Sequence, residues 1–232
     1  MLRLGWMFPA IAFVRGIWIN GSLALNDTDK QSDFDVLVVA KFGRLYTARF
    51  FLSLAASFMG ARRKRGQTSA PDKFCFNHYI TDATLAISSR SLYSAQVYSH
   101  LKPVLGEELL GKFYADNSWM YRYIFRANHG EELIRRNLSR SPLLSFKKNF
   151  WEWILGGRIG NLVEKILRYF QQERIRKNPI TYEAGGRVIW NDSELEFHPR
   201  SYEAVAIQKY NWGLRRLGIT PPEPEHDSGL LR

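Results

Sequence analysis

The run Asp35-Val36-Leu37-Val38-Val39-Ala40 constrains this chain more than any other segment. Its unbroken apolar stretch, rich in β-branched valine, reads as a well-buried strand with an acid at its head. Upstream, VRGIWIN over residues 14–20 also has strand character, so two strands bracket a polar loop. Downstream, Leu45, Ala48, Leu52, Ala55, Ala56 and Met59 recur at helical spacing, and Gly60 closes that helix. Strand, strand and helix predict an α/β core.

Past this core, ARRKRGQTSAPDK reads as a surface loop leading to a third strand, KFCFNHYIT, with a short return strand expected over Thr84 to Ile87. A helix is expected from Ser91 to Leu101, and Pro103 then breaks the pattern. That break suggests a core over residues 1–104 and a mainly helical C-terminal domain over 105–222. Within the second part, Glu107 to Tyr123 and Glu131 to Leu138 look helical, and Ser145 to Gln172 is long and amphipathic, interrupted by Gly156-Gly157. Phe146, Phe150, Trp153, Ile154, Leu162, Val163, Ile166, Leu167 and Phe170 are its apolar positions and are expected in the core. A membrane-surface helix is the alternative that its basic flank allows. A small hairpin around Asn191-Asp192, a helix from Ser201 to Leu217 and a disordered tail over 223–232 complete the expectation.

Hydrophobic residues make up 45% of the chain and charged residues 24%, the composition of a globular protein. The 33 Lys and Arg against 22 Asp and Glu leave a formal charge of +11, which attracts nucleotides, RNA and other anions. With Cys75 as the only cysteine, no intrachain disulfide is possible, and its neighbours Phe74 and Phe76 suggest a buried, unreactive thiol. A reducing, cytoplasmic setting is therefore expected. The apolar stretch from Leu4 to Val14 imitates a short signal sequence, but Pro9 interrupts it and no cleavage site follows. No stretch approaches the roughly 20 apolar residues of a membrane span, so no stable insertion is expected.

The chemistry concentrates in residues 21–35. Asp33 and Asp35 stand two residues apart at the start of the strand, so the pleat turns both carboxylates to one side, about 7 Å apart at Cα. Such a pair suits shared binding of hard cations, Mg²⁺ above all, together with a substrate's phosphates. Earlier, Gly21-Ser22 follows the first strand, where glycine lets the backbone approach a ligand and the serine hydroxyl can bond a phosphate. A polar hairpin loop is the plainer explanation of either feature taken alone. No zinc-ligand spacing, Walker loop, nucleophile elbow or dinucleotide fingerprint is present.

The segment INGSLALNDTDKQSDFDVLVV resembles the Gly-Ser and Asp-x-Asp signature of the DNA polymerase β nucleotidyltransferase superfamily. GRLYTARF, KFCFNHYI and SLYSAQVYSHLKPVLG are similar to a less characterised prokaryotic group within it, so the resemblance covers residues 10 to 125. It implies a small mixed sheet flanked by helices, an α/β (α+β) fold. It also implies dependence on Mg²⁺ or Mn²⁺, and transfer of a nucleoside monophosphate from a nucleoside triphosphate to a hydroxyl acceptor. By that resemblance Asp33 and Asp35 are metal ligands, and Gly21 and Ser22 contact phosphate. An RNA or a small molecule is the acceptor class left open.

One departure stands out. The superfamily places a third carboxylate on a later strand, and KFCFNHYIT has none. Asn77 or His78 stands there instead, and alternation along the strand lets only one face the metals. Asn77 could offer a neutral oxygen, His78 could accept a proton, and both could be structural. Asp72 and Asp82 flank the strand as substitutes. For the leaving pyrophosphate, Arg44 is the foremost candidate, with Arg49 and Arg62-Arg63-Lys64-Arg65 behind it. The rival to an enzyme is a weakened relative that only holds a nucleotide or RNA.

Overall fold

A computed structural model describes residues 7–24, 33–63, 73–124, 141–199 and 201–221. Six strands form one mixed sheet in the order β4-β1-β2-β3-β6-β5. They are β1 (Val14–Ile19), β2 (Phe34–Ala40), β3 (Phe74–Thr81), β4 (Lys102–Leu105), β5 (Arg187–Trp190) and β6 (Glu194–His198). The α/β expectation holds. β1 and β2 pair antiparallel, whereas β2 and β3 pair parallel across the helix α2 (Leu45–Phe58), because parallel neighbours need a crossover. Thr84 to Ile87 form no return strand; only an isolated bridge joins Thr81 to Thr84.

Helices cover both faces of the sheet. Val36 and Val38 point to one face, where Leu45, Ala48, Leu52 and Ala56 of α2 meet them. Behind α2 lies α6 (Arg158–Arg176), while α5 (Pro142–Ile154) packs against the turn at Phe8–Ala10; the two are the halves of the expected long helix, separated at Gly156-Gly157. Leu37 and Val39 point to the other face, against Ala95 and Tyr98 of α3 (Leu92–Tyr98) and Phe113 of α4 (Leu110–Asp116). The one-turn α1 (Gly21–Ala24) follows β1, and α7 (Glu203–Arg216) packs on α3.

The sheet runs straight through the boundary expected near residue 104. β4 lies across it and pairs with β1, and the hairpin β5-β6 extends the same sheet from β3. What holds that hairpin is a buried polar network. Arg187 bonds Glu196 at 2.7 Å and also Glu203 of α7, while Glu194 accepts from Ser88 and lies 2.9 Å from His78 Nε2. Charges this deep persist only when paired, so the network ties β3, β5, β6 and α7 to one another.

The α5–α6 stretch corrects the expectation of a buried aromatic row. Ile154, Val163 and Leu167 do pack on the core, but Phe146, Phe150, Trp153, Leu162, Ile166 and Phe170 are exposed. The sheet-facing positions belong instead to Glu152, Leu155, Gly160 and Glu164. Glu152 takes both Arg15 guanidinium bonds and the Phe13 N–H, which fixes Phe13 at φ 66° at the start of β1. Glu164 accepts from Tyr46 N, Thr47 N and Thr47 Oγ1, capping the positive end of α2 from another helix. The expected helix over Glu131 to Leu138 and the tail over 223–232 lie outside the described residues.

The Glu164 cap carries a direct expectation. Glu164→Ala removes a charged acceptor of three hydrogen bonds and leaves the α2 amides unpartnered. It should lower the unfolding free energy by about 2 kcal/mol, read by urea denaturation, with Glu164→Gln intermediate.

Candidate active site

Asp35 is the hub of the site. Near the start of β2 it lies on the sheet face shared with Leu37 and Val39, and its Oδ1 accepts from Asn77 Nδ2 at 2.7 Å. Asn20 N donates to its backbone oxygen at 3.0 Å, which brings the end of β1 alongside. Gly21 follows with φ +65°, and a Cβ built there would sit 3.2 Å from Asp35 Oδ2. Glycine is thus required twice, by the left-handed backbone and by the close carboxylate. Ser22 is exposed on the next residue of α1.

Asp33 turns to the same space, as the two-residue spacing predicts. One ligand atom each from Asp33, Asp35 and Cys75 lies within 4.8 Å of the others. Arg63 NH1 bonds Asp33 Oδ2 at 2.5 Å. Burial, and then the neighbouring Asp33, push the Asp35 carboxyl up to about 6, although the Cys75 thiol, Arg63 and Asn77 pull the other way. Burial followed by Asp35 and Asp33 pushes the Cys75 thiol up to about 12, so it stays protonated at neutral pH and donates to Asp35.

The third strand departs from simple alternation. Asp35 pairs with Cys75, but Leu37 pairs with His78, so β3 spends one extra residue between those partners. This bulge at Phe76 and Asn77 lets Asn77 reach Asp35, while its neighbour His78 also turns to that side of the sheet. His78 itself is fully buried, with Nδ1 2.7 Å from Tyr98 Oη and Nε2 on Glu194, so it belongs to the buried network and not to the aspartates. The position opposite Asp35 is held by Cys75, which the sequence marked only as an inert thiol. Asn77 Oδ1 is buried without a hydrogen-bond partner among the described residues.

Arg44 is placed elsewhere than expected. It stands past the C-terminal end of β2, while Asp35 is near the other end, about 16 Å back along the strand. Its guanidinium is spent on Leu155 O (3.1 Å), Gly156 O (3.1 Å) and Asn161 Oδ1 (2.6 Å), where it clamps the α5–α6 turn. Nearness in sequence misled because a strand carries its two ends apart. Asp82 is likewise remote: it accepts from Phe42 N at 2.8 Å beyond the end of β2. Asp72, Lys64 and Arg65 lie outside the described residues.

A cleft of about 980 Å³ opens on Asp35, Gly21 and Asn77 and runs between the first half of β3 and the end of β6. Arg49, Arg62, Arg63, Arg174 and Arg187 line it, and Tyr93, Phe197 and Tyr202 supply aromatic walls. Arg49 stacks on Phe197 at 4.5 Å and bonds Gln171 at 2.6 Å. Burial, with Arg62 and Arg174 close by, holds Arg49 below the ordinary guanidinium range. The cleft is therefore cationic and partly aromatic, suited to an anion that carries a flat ring. Of these arginines, Arg174 and Arg187 had no signal in the sequence, since both arrive from the C-terminal half. The alternation of Glu194, Glu196 and His198 along ELEFH was the available hint that β6 carries one polar face.

No family model, no curated protein and no solved structure matches this chain.

The raised Asp35 carboxyl has a measurable consequence for stability. Its folded value lies above the unfolded value of 3.8, so this group's stabilising share is complete below 3.8 and is lost as pH rises through about 6. In the presence of a chelator, Asp35→Asn should therefore be more stable than wild type at pH 8 by about 2 kcal/mol. The difference should vanish below pH 4; an equal difference at both ends would show that charge is not its cause.

Proposed function

We propose that the chain is a Mg²⁺-dependent nucleotidyltransferase, which moves a nucleoside monophosphate from a nucleoside triphosphate to a hydroxyl acceptor. One observation carries the reading: Asp35 and Gly21 open on an arginine-lined cleft, and Asp33 brings a second carboxylate to within 4.8 Å of Asp35. The donor set fits a hard cation. Two carboxylates are oxygen ligands of the kind Mg²⁺ or Mn²⁺ takes, whereas a protonated thiol at Cys75 is not a ligand. Such a cation, bound there, offsets the charge of both carboxylates and of the triphosphate.

The chain's own groups would do the rest. Asp33 and Asp35 would hold the cation, and the close backbone at Gly21 with the Ser22 hydroxyl would hold phosphate. Arg62 and Arg63 line the cleft and would offset the charge of the departing pyrophosphate. Asn77 keeps Asp35 oriented through its 2.7 Å bond. The aromatic walls at Tyr93 and Tyr202 offer surfaces for a base or an acceptor to stack.

A second reading draws on a specific observation. Cys75 and Asn77, neither of them a base at neutral pH, take the places on β3 beside Asp35 where a third acid would stand. A site of that kind could hold a nucleotide without transferring it quickly. The two readings separate experimentally.

Purified protein with Mg²⁺, each α-labelled triphosphate and fractionated cell extract should transfer label to one fraction. Asp33→Ala with Asp35→Ala should lower that transfer at least a thousandfold, and wild-type-like transfer by the double variant would refute the enzyme. If Mg²⁺ and nucleotide raise the melting temperature but no fraction takes label, the binding reading holds instead. Cys75→Asp supplies a carboxylate opposite Asp35 and should raise transfer about tenfold in excess Mg²⁺, with Cys75→Ser near wild type.

A further inference from the structure

The outer faces of α5 and α6 are apolar and bare. On α5, Phe146, Phe150 and Trp153 follow one another at helical spacing, with Phe146 exposed at 69% and Trp153 at 80%. On α6, Ile159, Leu162 and Phe170 repeat the pattern, with Ile159 at 66% and Phe170 at 64%. Rings and branched chains this large, exposed on two consecutive helices, mark surfaces suited to another apolar phase.

Charge decides which phase that is. Residues 142–177 hold eight Lys and Arg against three acids. Those acids are all engaged: Glu152 holds Arg15 and Phe13, Glu164 caps α2, and Glu173 sits between Arg176 and Lys177. Lys147, Arg158 and Lys165 are exposed on the same helices. A second copy of the chain, itself at +11, would set like charge against like. Nucleic acid would suit the charge but not the apolar row. An anionic bilayer surface suits both, since acyl boundary and headgroups take rings and cations together.

We propose that α5 and α6 lie flat on an anionic lipid surface, with the aromatic rings at the acyl boundary and Lys147, Arg158 and Lys165 on the headgroups. The adsorption is peripheral: no helix among the described residues is long and apolar enough to cross a membrane. It stands independently of the nucleotide reading, because neither the rings nor these cations line the cleft.

Flotation of the full chain on vesicles tests it. Vesicles of phosphatidylcholine mixed equally with phosphatidylglycerol should carry the protein at low salt, release it at high salt, and bind it far more tightly than phosphatidylcholine alone. Phe146→Ser, Trp153→Ser and Phe170→Ser together should weaken binding at least tenfold with an unchanged melting temperature. Lys147→Glu with Arg158→Glu should remove the preference for the anionic lipid. Failure to float on the mixed vesicles overturns the proposal, as does undiminished binding by the triple serine variant. A dimer in sedimentation that the same variant splits would assign the face to a second copy and overturn it too.

Discussion

The cost of keeping two carboxylates together at the start of an inner strand of an apolar sheet organises this molecule. Asp35 shares a sheet face with Leu37 and Val39 and lies beside Asp33, so both burial and like charge oppose its ionisation. The surroundings answer that cost piecemeal. Asn77 donates to one oxygen, the Cys75 thiol donates as well, Arg63 neutralises Asp33, and Gly21 leaves room for the second oxygen. Even so the carboxyl stays at about 6, so the site is left wanting positive charge. Under the proposed function a divalent cation would supply it.

The cleft depends on how the C-terminal half closes on this core. Arg187, Glu194, Glu196 and Glu203 form paired charges inside the fold, and their mutual need for partners fixes β5 and β6 against β3. β6 pairs with β3 only over His78 to Ile80, so the earlier part of β3, with Cys75 and Asn77, borders open space. The same closure brings Arg187 from β5 and Arg174 from α6 to the cleft wall. Site and scaffold thus share residues: the arginine that pairs with buried glutamates also faces the cleft.

Much of the local structure was legible. β1, β2 and β3, the helix after β2, and the division of the long helix at Gly156-Gly157 follow from periodicity and from glycine's place as a breaker. The convergence of Asp33 and Asp35 follows from the two-residue pleat. Other features were not. Alternation along KFCFNHYIT holds only for an unbroken ladder, and the bulge that brings Asn77 to Asp35 arises from pairing with β2. Amphipathic spacing in α5 and α6 identified an apolar stripe, yet spacing does not say which stripe meets the sheet. Here glutamates with distant partners took that role and left the rings outside.

From its residues alone this chain specifies short-range matters: which segments are strands or helices, that Gly21 precedes an Asp-x-Asp pair, and that the whole is strongly cationic. These rest on spacings of two to four residues, within reach of local sterics and pleat geometry. Tertiary structure alone decided that Arg44 clamps a turn more than a hundred residues away, that Cys75 faces the aspartates, and that one sheet spans both halves. Each of those outcomes joins distant segments. It is set by which buried polar group finds its partner once the chain has closed, and no local pattern encodes that choice.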